Sequence, residues 1–294
     1  HAISLVDVAM NTQGMLFEAR SKSAAMSFFH AYYGMGAILA CVLAALFSHF
    51  NVSVGINLFV VSVGFEIVFF SKARHLYRED GVGSQEDAEG RPRIAREATH
   101  TIIVIGIMVL LMYCAEGIVT DWGSLFMVRE KGSPESLAAM TYGVFSCTSV
   151  ALSFFGDPIR ERYGDFTVMA TSVATATLGM LIVIFAPEAY GTLFGYAVSG
   201  LGLALMVPIL FSLAGHTPGV DAQYASARVS IYAYTGILFF PPLVGFTAKW
   251  IGLRGAMSIV FAMFAVFVVC LLWLHQRPFN KEGRTPSARG RLYR

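Results

Sequence analysis

The chain has 294 residues, 56% of them hydrophobic and 14% charged, with a net charge of +2 and a mean hydropathy of +0.63. A soluble domain carries about 25% charged residues, so this composition excludes one and makes lipid the expected solvent. The small positive excess lies in the gaps between apolar runs and in the C-terminal tail, where anionic headgroups can meet it, and it gives no reason to expect nucleic acid as a partner.

In chain order, His1 to Phe17 is amphipathic, contains Asp7, Asn11 and Gln13, and ends at a basic turn from Arg20 to Lys22. It reads as the second half of a helix. There is no initiating Met and no signal-peptide pattern, so the chain is expected to be a fragment of a longer protein. Eight apolar runs follow, at 24–48, 53–71, 100–127, 136–155, 166–186, 190–214, 225–248 and 254–274. Crossing a hydrocarbon core takes about 20 residues of helix, and runs this long with interleaved Gly and Ala exclude the alternating strands of a β-barrel. The predicted fold is all-α: a polytopic membrane protein with eight full spans and one partial span. Pro208 and the pair Pro241-Pro242 remove backbone donors inside spans and predict local bends.

Charge sets the expected orientation. Of 21 Lys and Arg residues, all but Arg129, Lys131, Lys249 and Arg254 fall in alternate gaps or in the tail. Basic residues stay on the cytoplasmic side, so the rich gaps and the C-terminus read as cytoplasmic and the protein as one of the plasma or inner membrane. The hydrophilic stretch 72–99 has no apolar periodicity and reads as a cytoplasmic linker. Cys41, Cys114, Cys147 and Cys270 lie inside apolar runs without ligand spacing, so they read as small buried hydrophobes. No metal site and no cofactor are expected.

Six spans after a linker suit a protein of matched six-helix halves, the layout of the major facilitator superfamily. The run Gly156-Asp157-Pro158-Ile159-Arg160-Glu161-Arg162-Tyr163-Gly164 resembles that superfamily's G-D-x-x-x-x-R-x-G loop, and it falls on the side that charge alone marks as inside. Asp7-Val8-Ala9-Met10-Asn11 resembles an acidic-x-A-x-N motif in helix four of the fucose-permease-like branch. Ser27 to His30 with Gly34 and Gly36, Tyr113 to Trp122, and Tyr234 through Pro241-Pro242 to Gly245 look like helices five, seven and eleven of that branch. The resemblance implies that the chain begins inside helix four of twelve. It implies a division into 1–71 as a remnant of the first half, 72–99 as linker, 100–275 as the second six-helix half and 276–294 as a basic tail.

Asp7 is the leading candidate for chemistry. It lies roughly 20 Å from Arg20 along a helix, near or beyond mid-bilayer, where a carboxylate must be protonated, paired or facing water. Asn11 and Glu18 continue the same stripe. Asp7 therefore reads as a proton acceptor facing a cavity, against the alternative of an acid held by packing. Glu116, about 24 Å from His100, carries the same two readings, with Tyr113 and Thr120 on its face and Gly117 offering a local break. His30, Asn11, Tyr113, Thr120, Tyr196 and Tyr234 offer hydrogen bonds and flat apolar faces to a hydroxyl-rich ligand, with helix packing as the competing reading. Gly156, Asp157, Arg160, Arg162 and Gly164 form the candidate gating loop, whose charges can latch neighbouring helix ends.

The expected function is secondary transport of a small solute by alternating access, proton-coupled, with a sugar-like molecule as first guess and a monomer as the unit. A proton antiporter exporting amphipathic compounds and a receptor that kept the fold without transporting are the alternatives. No nucleophile–base pair or phosphate-binding loop appears, so no enzyme is expected.

Overall fold

The computed structural model describes residues 2–50, 52–75 and 96–276; most of the linker and the tail beyond Gln276 lie outside the described residues, as does His1. The structure is all-α. The helices are α1 (Ala2–Ser21), α2 (Met26–His49), α3 (Val54–Lys72), α4 (Arg96–Lys131), α5 (Glu135–Ala138), α6 (Met140–Tyr163), α7 (Asp165–Phe185), α8 (Ala189–Leu203), α9 (Met206–Gly215), α10 (Ala222–Met257) and α11 (Ile259–His275), with a 3-10 turn at Ala73–His75. Six stretches among the described residues are long and apolar enough to cross a membrane, from Gly55–Lys72 to Ala222–Met257, and α8 with α9 form one of them. The 24-residue α2 and the 17-residue α11 complete the passes expected from the apolar runs.

α4, α8, α9 and α10 build the core. Met206 to Ala214 are all buried, together with Ile105, Met108, Ile118, Phe126, Tyr196 and Phe267 from neighbouring helices. α3 is the opposite case, with none of its span buried and Phe59, Phe65, Ile67 and Phe70 facing outward. Such a face suits hydrocarbon or another apolar helix, since the helix satisfies its own backbone and these side chains carry no polar group that needs water. The first three helices meet the later ones through α1 against α9 and α10 and α2 against α6 and α9.

Several expectations are revised. The pass 190–214 is broken at Ala204 and Leu205, and Pro208 sits in the first turn of α9. A proline ring clashes with the carbonyl four residues back, here that of Ala204, so the helix ends there and restarts with the proline where it is tolerated. The backbone remains helical through Pro241 and Pro242, and the dihedral break inside α10 falls at Gly252 (φ 75°, ψ 166°). α4 runs unbroken through Gly117. The predicted gating loop is helical: α6 extends through Pro158 to Tyr163, and Gly164 alone (φ 79°, ψ 149°) makes the turn into α7. Of the cysteines, Cys114 is buried, Cys270 half-buried and Cys147 exposed, while the Cys41 side chain lies outside the described ones.

Candidate transport site and latch

α1 presents Asp7 and Asn11 on one face, four residues apart. The Asn11 amide nitrogen donates to Asp7 Oδ1 at 3.2 Å, and the Tyr234 hydroxyl of α10 donates to Asp7 Oδ2 at 3.1 Å. His30 Nε2 of α2 lies 3.2 Å from Asn11 Oδ1. With the amide nitrogen spent on Asp7, that oxygen is an acceptor, so Nε2 carries the proton. The four side chains form one directed chain in which both carboxylate oxygens of Asp7 accept. Ser226 of α10 adds a bond to the Val8 carbonyl at 3.2 Å, and Ser230, one turn on, is buried with its hydroxyl unpartnered among the described residues.

α4 supplies the facing wall. Tyr113 lies within electrostatic reach of Asp7, Glu116, Tyr234 and Tyr33. Glu116 is half-buried and has no hydrogen-bond or ion-pair partner among the described residues. The structure thus brings Asp7, Asn11, His30, Tyr113, Tyr234 and Glu116 around one region. Thr120 stays local, bonding the Gly117 carbonyl and Asp121 at 3.4 Å each. Tyr196 does not belong to this wall: it is fully buried and donates to the Gly123 carbonyl at 3.3 Å. Its phenol closes a contact between α8 and α4. Ser199 likewise spends its hydroxyl on the Gly195 carbonyl of its own helix at 2.9 Å.

A second cluster closes the end of the molecule at which α1 and α6 terminate and α2 and α7 begin. The first amides of a helix have no intrahelical acceptors. At α2 they are met by three carboxylates. Ala24 N donates to Glu161 at 3.3 Å, Ala25 N and Met26 N to Glu18 at 2.8 and 2.9 Å, and Ser27 N and Phe28 N to Asp157 at 3.1 and 2.9 Å. Arg160, 5% exposed, balances this charge through Glu18 at 3.4 Å, Asp157 at 3.2 Å and Asp165 at 2.8 Å. The Ser212 hydroxyl of α9 also donates to Glu18. Asp157 and Arg160 share a helix face at i and i+3, which the helical form of the motif makes possible. Arg162 points away, exposed against the Tyr163 ring. Gly156 lets α6 approach, since a Cβ there would stand 2.5 Å from Leu205 and 2.7 Å from Ser27.

Glu18, Glu161, Asp165 and Ser212 belong to this cluster through partners that their sequence positions do not name. Glu18 carried a signal, being on the Asp7 stripe, and Asp165 directly follows the motif. Ser212 carried none. No group of three or more His, Cys, Asp or Glu residues that could hold a metal occurs among the described residues.

The sequence model of the Major Facilitator Superfamily matches residues 7–217 and, in a second overlapping placement, 104–292. The chain belongs to the major facilitator superfamily. Membership makes it an integral membrane protein and sets it among transporters of small molecules rather than enzymes. An uncharacterised MFS-type transporter of Yersinia pestis is 29% identical over 91% of this chain and 67% of its own length. The membrane protein MosC of Rhizobium meliloti is 30% identical over 90% of this chain and 63% of its own. The superfamily fold is seen directly in the crystal structure of FucP in the outward conformation, with a TM-score of 0.66, 14% identity, and coverage of 86% of this chain and 68% of that one. A structure of the E. coli fucose:proton symporter FucP gives a TM-score of 0.62 at 16% identity over 85% of this chain and 68% of that one. This superfamily member spans about two thirds of the length of these relatives.

Proposed function

We propose that the protein is a proton-coupled secondary transporter of a small, hydroxyl-bearing polar solute, working by alternating access between residues 1–71 and 100–275. The carrying observation is the bond from Tyr234 to Asp7, which joins the two parts through a titratable group. An ionised Asp7 accepts at both oxygens; a protonated one carries an O–H on one of them, which weakens that oxygen as an acceptor and supplies a donor to which the Tyr234 hydroxyl can turn as acceptor. Proton uptake thereby rearranges the same side chains that solute hydroxyls would engage. Asn11, His30, Tyr113 and Tyr234 offer those hydroxyls donors and acceptors, and Glu116 is the second carboxylate available for a proton. The polar character of this wall favours a sugar-like solute over an amphipathic one, and the fucose:proton symporter named among the structural neighbours is a parallel.

Asp157, Arg160 and Glu18 form the gate in this reading, with Gly156 and Gly164 allowing the close approach and the turn. The Lys and Arg distribution supports a cytoplasmic side for this gate, and in this reading the closed latch corresponds to a state open outward. The test is reconstitution of the complete protein in proteoliposomes with an imposed pH gradient and a panel of polyols and monosaccharides. Accumulation driven by an inwardly directed proton gradient is expected, and Asp7→Asn is expected to abolish accumulation while leaving exchange of bound solute. Absence of any flux with retained binding would favour a receptor, and efflux against the proton gradient an antiporter.

A further inference from the structure

Two further phenols border the Asp7 site. Tyr33 of α2 lies within electrostatic reach of Asp7 and Glu116, as Tyr113 of α4 does, and Tyr142 of α6 lies within reach of Tyr33. With Tyr234 of α10, four helices each bring one phenol to the region of the two carboxylates. Tyr33 and Tyr142 are 61% and 49% exposed, so a large part of each ring is open to a ligand.

The charge of this region is one-sided. Among the described residues neither Asp7 nor Glu116 enters an ion pair, and the charges that act on Tyr33 and Tyr113 are these two acids, with no Lys or Arg. The latch is the opposite case, since Arg160 there meets Glu18, Asp157 and Asp165 together. An ionisable group inside a span is normally paired or faces a cavity. Asp7 receives bonds from Tyr234 and Asn11. Glu116 is half-buried and receives none among the described residues. The face of a tyrosine ring attracts a cation, most strongly where water is excluded. An acid lacking a counter-ion, set among open tyrosine rings, therefore suits a positively charged nitrogen, whereas a neutral sugar would leave it uncompensated. Ser230, 2% exposed and unpartnered, lies on the face of α10 that carries Tyr234 and offers one more hydrogen bond to a solute hydroxyl.

We infer that the solute is a protonated amine that also bears hydroxyls, its ammonium meeting Glu116 and the rings of Tyr33 and Tyr113, its hydroxyls meeting Asn11, His30 and Tyr234. The inference rests on the proposed solute site and narrows the class of solute that fits it. In the loaded site Asp7 carries the proton and Glu116 the ammonium.

Isothermal titration of the complete protein in detergent, at about pH 6 where an alkyl amine is charged, tests this with glucosamine, mannosamine and serinol, each against its N-acetyl derivative. Acetylation keeps the hydroxyls and removes the charge. At least one amine is expected to bind about tenfold or more tightly than its derivative, as a hydrogen bond to a charged group provides. Glu116→Gln should abolish that preference. Tyr33→Leu, at an exposed position, should weaken amine binding about threefold, and Tyr33→Phe, which keeps the ring, should restore it; this pair decides the matter if the Glu116 variant fails to fold. Amines that bind no more tightly than their derivatives, or a folded Glu116→Gln protein that keeps the preference, would overturn the inference. Proton-driven flux of neutral monosaccharides alone would overturn it and leave proton-coupled transport standing. Amine binding without proton-driven flux would do the reverse.

Discussion

Tyr234 and Asp7 are 227 positions apart in the chain and are joined by a 3.1 Å hydrogen bond from phenol to carboxylate. The bond spans α10 and α1, which the Ser226 hydroxyl also ties through the Val8 carbonyl. Because Asp7 also holds Asn11, and Asn11 holds His30, a change at one carboxylate reaches three helices at once.

Tyr234→Phe is expected to remove one hydrogen bond to a charged group, a contribution of about 1.5–3 kcal/mol. A double-mutant cycle with Asp7→Asn, read from thermal unfolding of the complete protein in detergent, should give a coupling energy of at least about 0.5 kcal/mol. Additive effects would show that the two side chains do not act together.

Arg160→Leu leaves Glu18 and Asp157 buried without their cation, and breaking a buried pair from one side costs about 3–5 kcal/mol. Arg162→Leu, on the exposed side of the same helix turn, should stay within about 0.5 kcal/mol. The informative readout is thiol labelling of a cysteine placed at Ala25, which is buried in the closed seam. Labelling should rise strongly with the first substitution and remain at the parental level with the second.

Gly156→Val tests the close approach of α6 to α2. Overpacking a tight contact costs about 1–3 kcal/mol, and here separation of α2 from α6 relieves it. The same label at Ala25 should therefore react faster in this variant. An unchanged labelling rate, with the protein folded, would mean that Leu205 and Ser27 yield locally instead.

Tyr196→Phe separates packing from ligand contact. It should lower thermal stability by about 1 kcal/mol through loss of the bond to the Gly123 carbonyl and leave the KM for transported solute unchanged. A KM shifted severalfold at unchanged stability would restore Tyr196 to the solute site.

The sequence shows the passes because twenty apolar residues have one stable use in lipid, and α4 or α7 could be placed to within a few residues. It shows Asp7 and Asn11 because polar groups on one stripe of a membrane helix must face something. It shows through Pro208 that the pass 190–214 must bend, but not that the break falls at Ala204 and Leu205, where every neighbour is apolar. Nor does it separate Tyr196 from Tyr234: both are tyrosines in the middle of apolar helices, and only the packing of α8 against α4 shows that one phenol is spent on a backbone carbonyl. Ser212 is invisible for the same reason, since its partner Glu18 is 194 positions away. The Gly-Asp motif was legible as charge chemistry, but its helical form was not, because Pro158 suggests a loop and is instead absorbed by α6.

The start of α2 has a consequence for the energetics of gating. The amides of Ala24, Ser27 and Phe28 are held by carboxylates from α6, while Glu18 and Arg160 face each other across the same seam. Parting the helices does not simply break these bonds; it hands each group to a solvent molecule, and exchanges of that kind nearly cancel in free energy. In the proposed alternating-access cycle, water would be a stoichiometric reactant of the opening step, taken up when the seam parts and expelled when it closes. An excluded osmolyte that lowers water activity should hold the seam shut without touching the solute site, and the slope of opening against osmotic pressure would count the water molecules that enter.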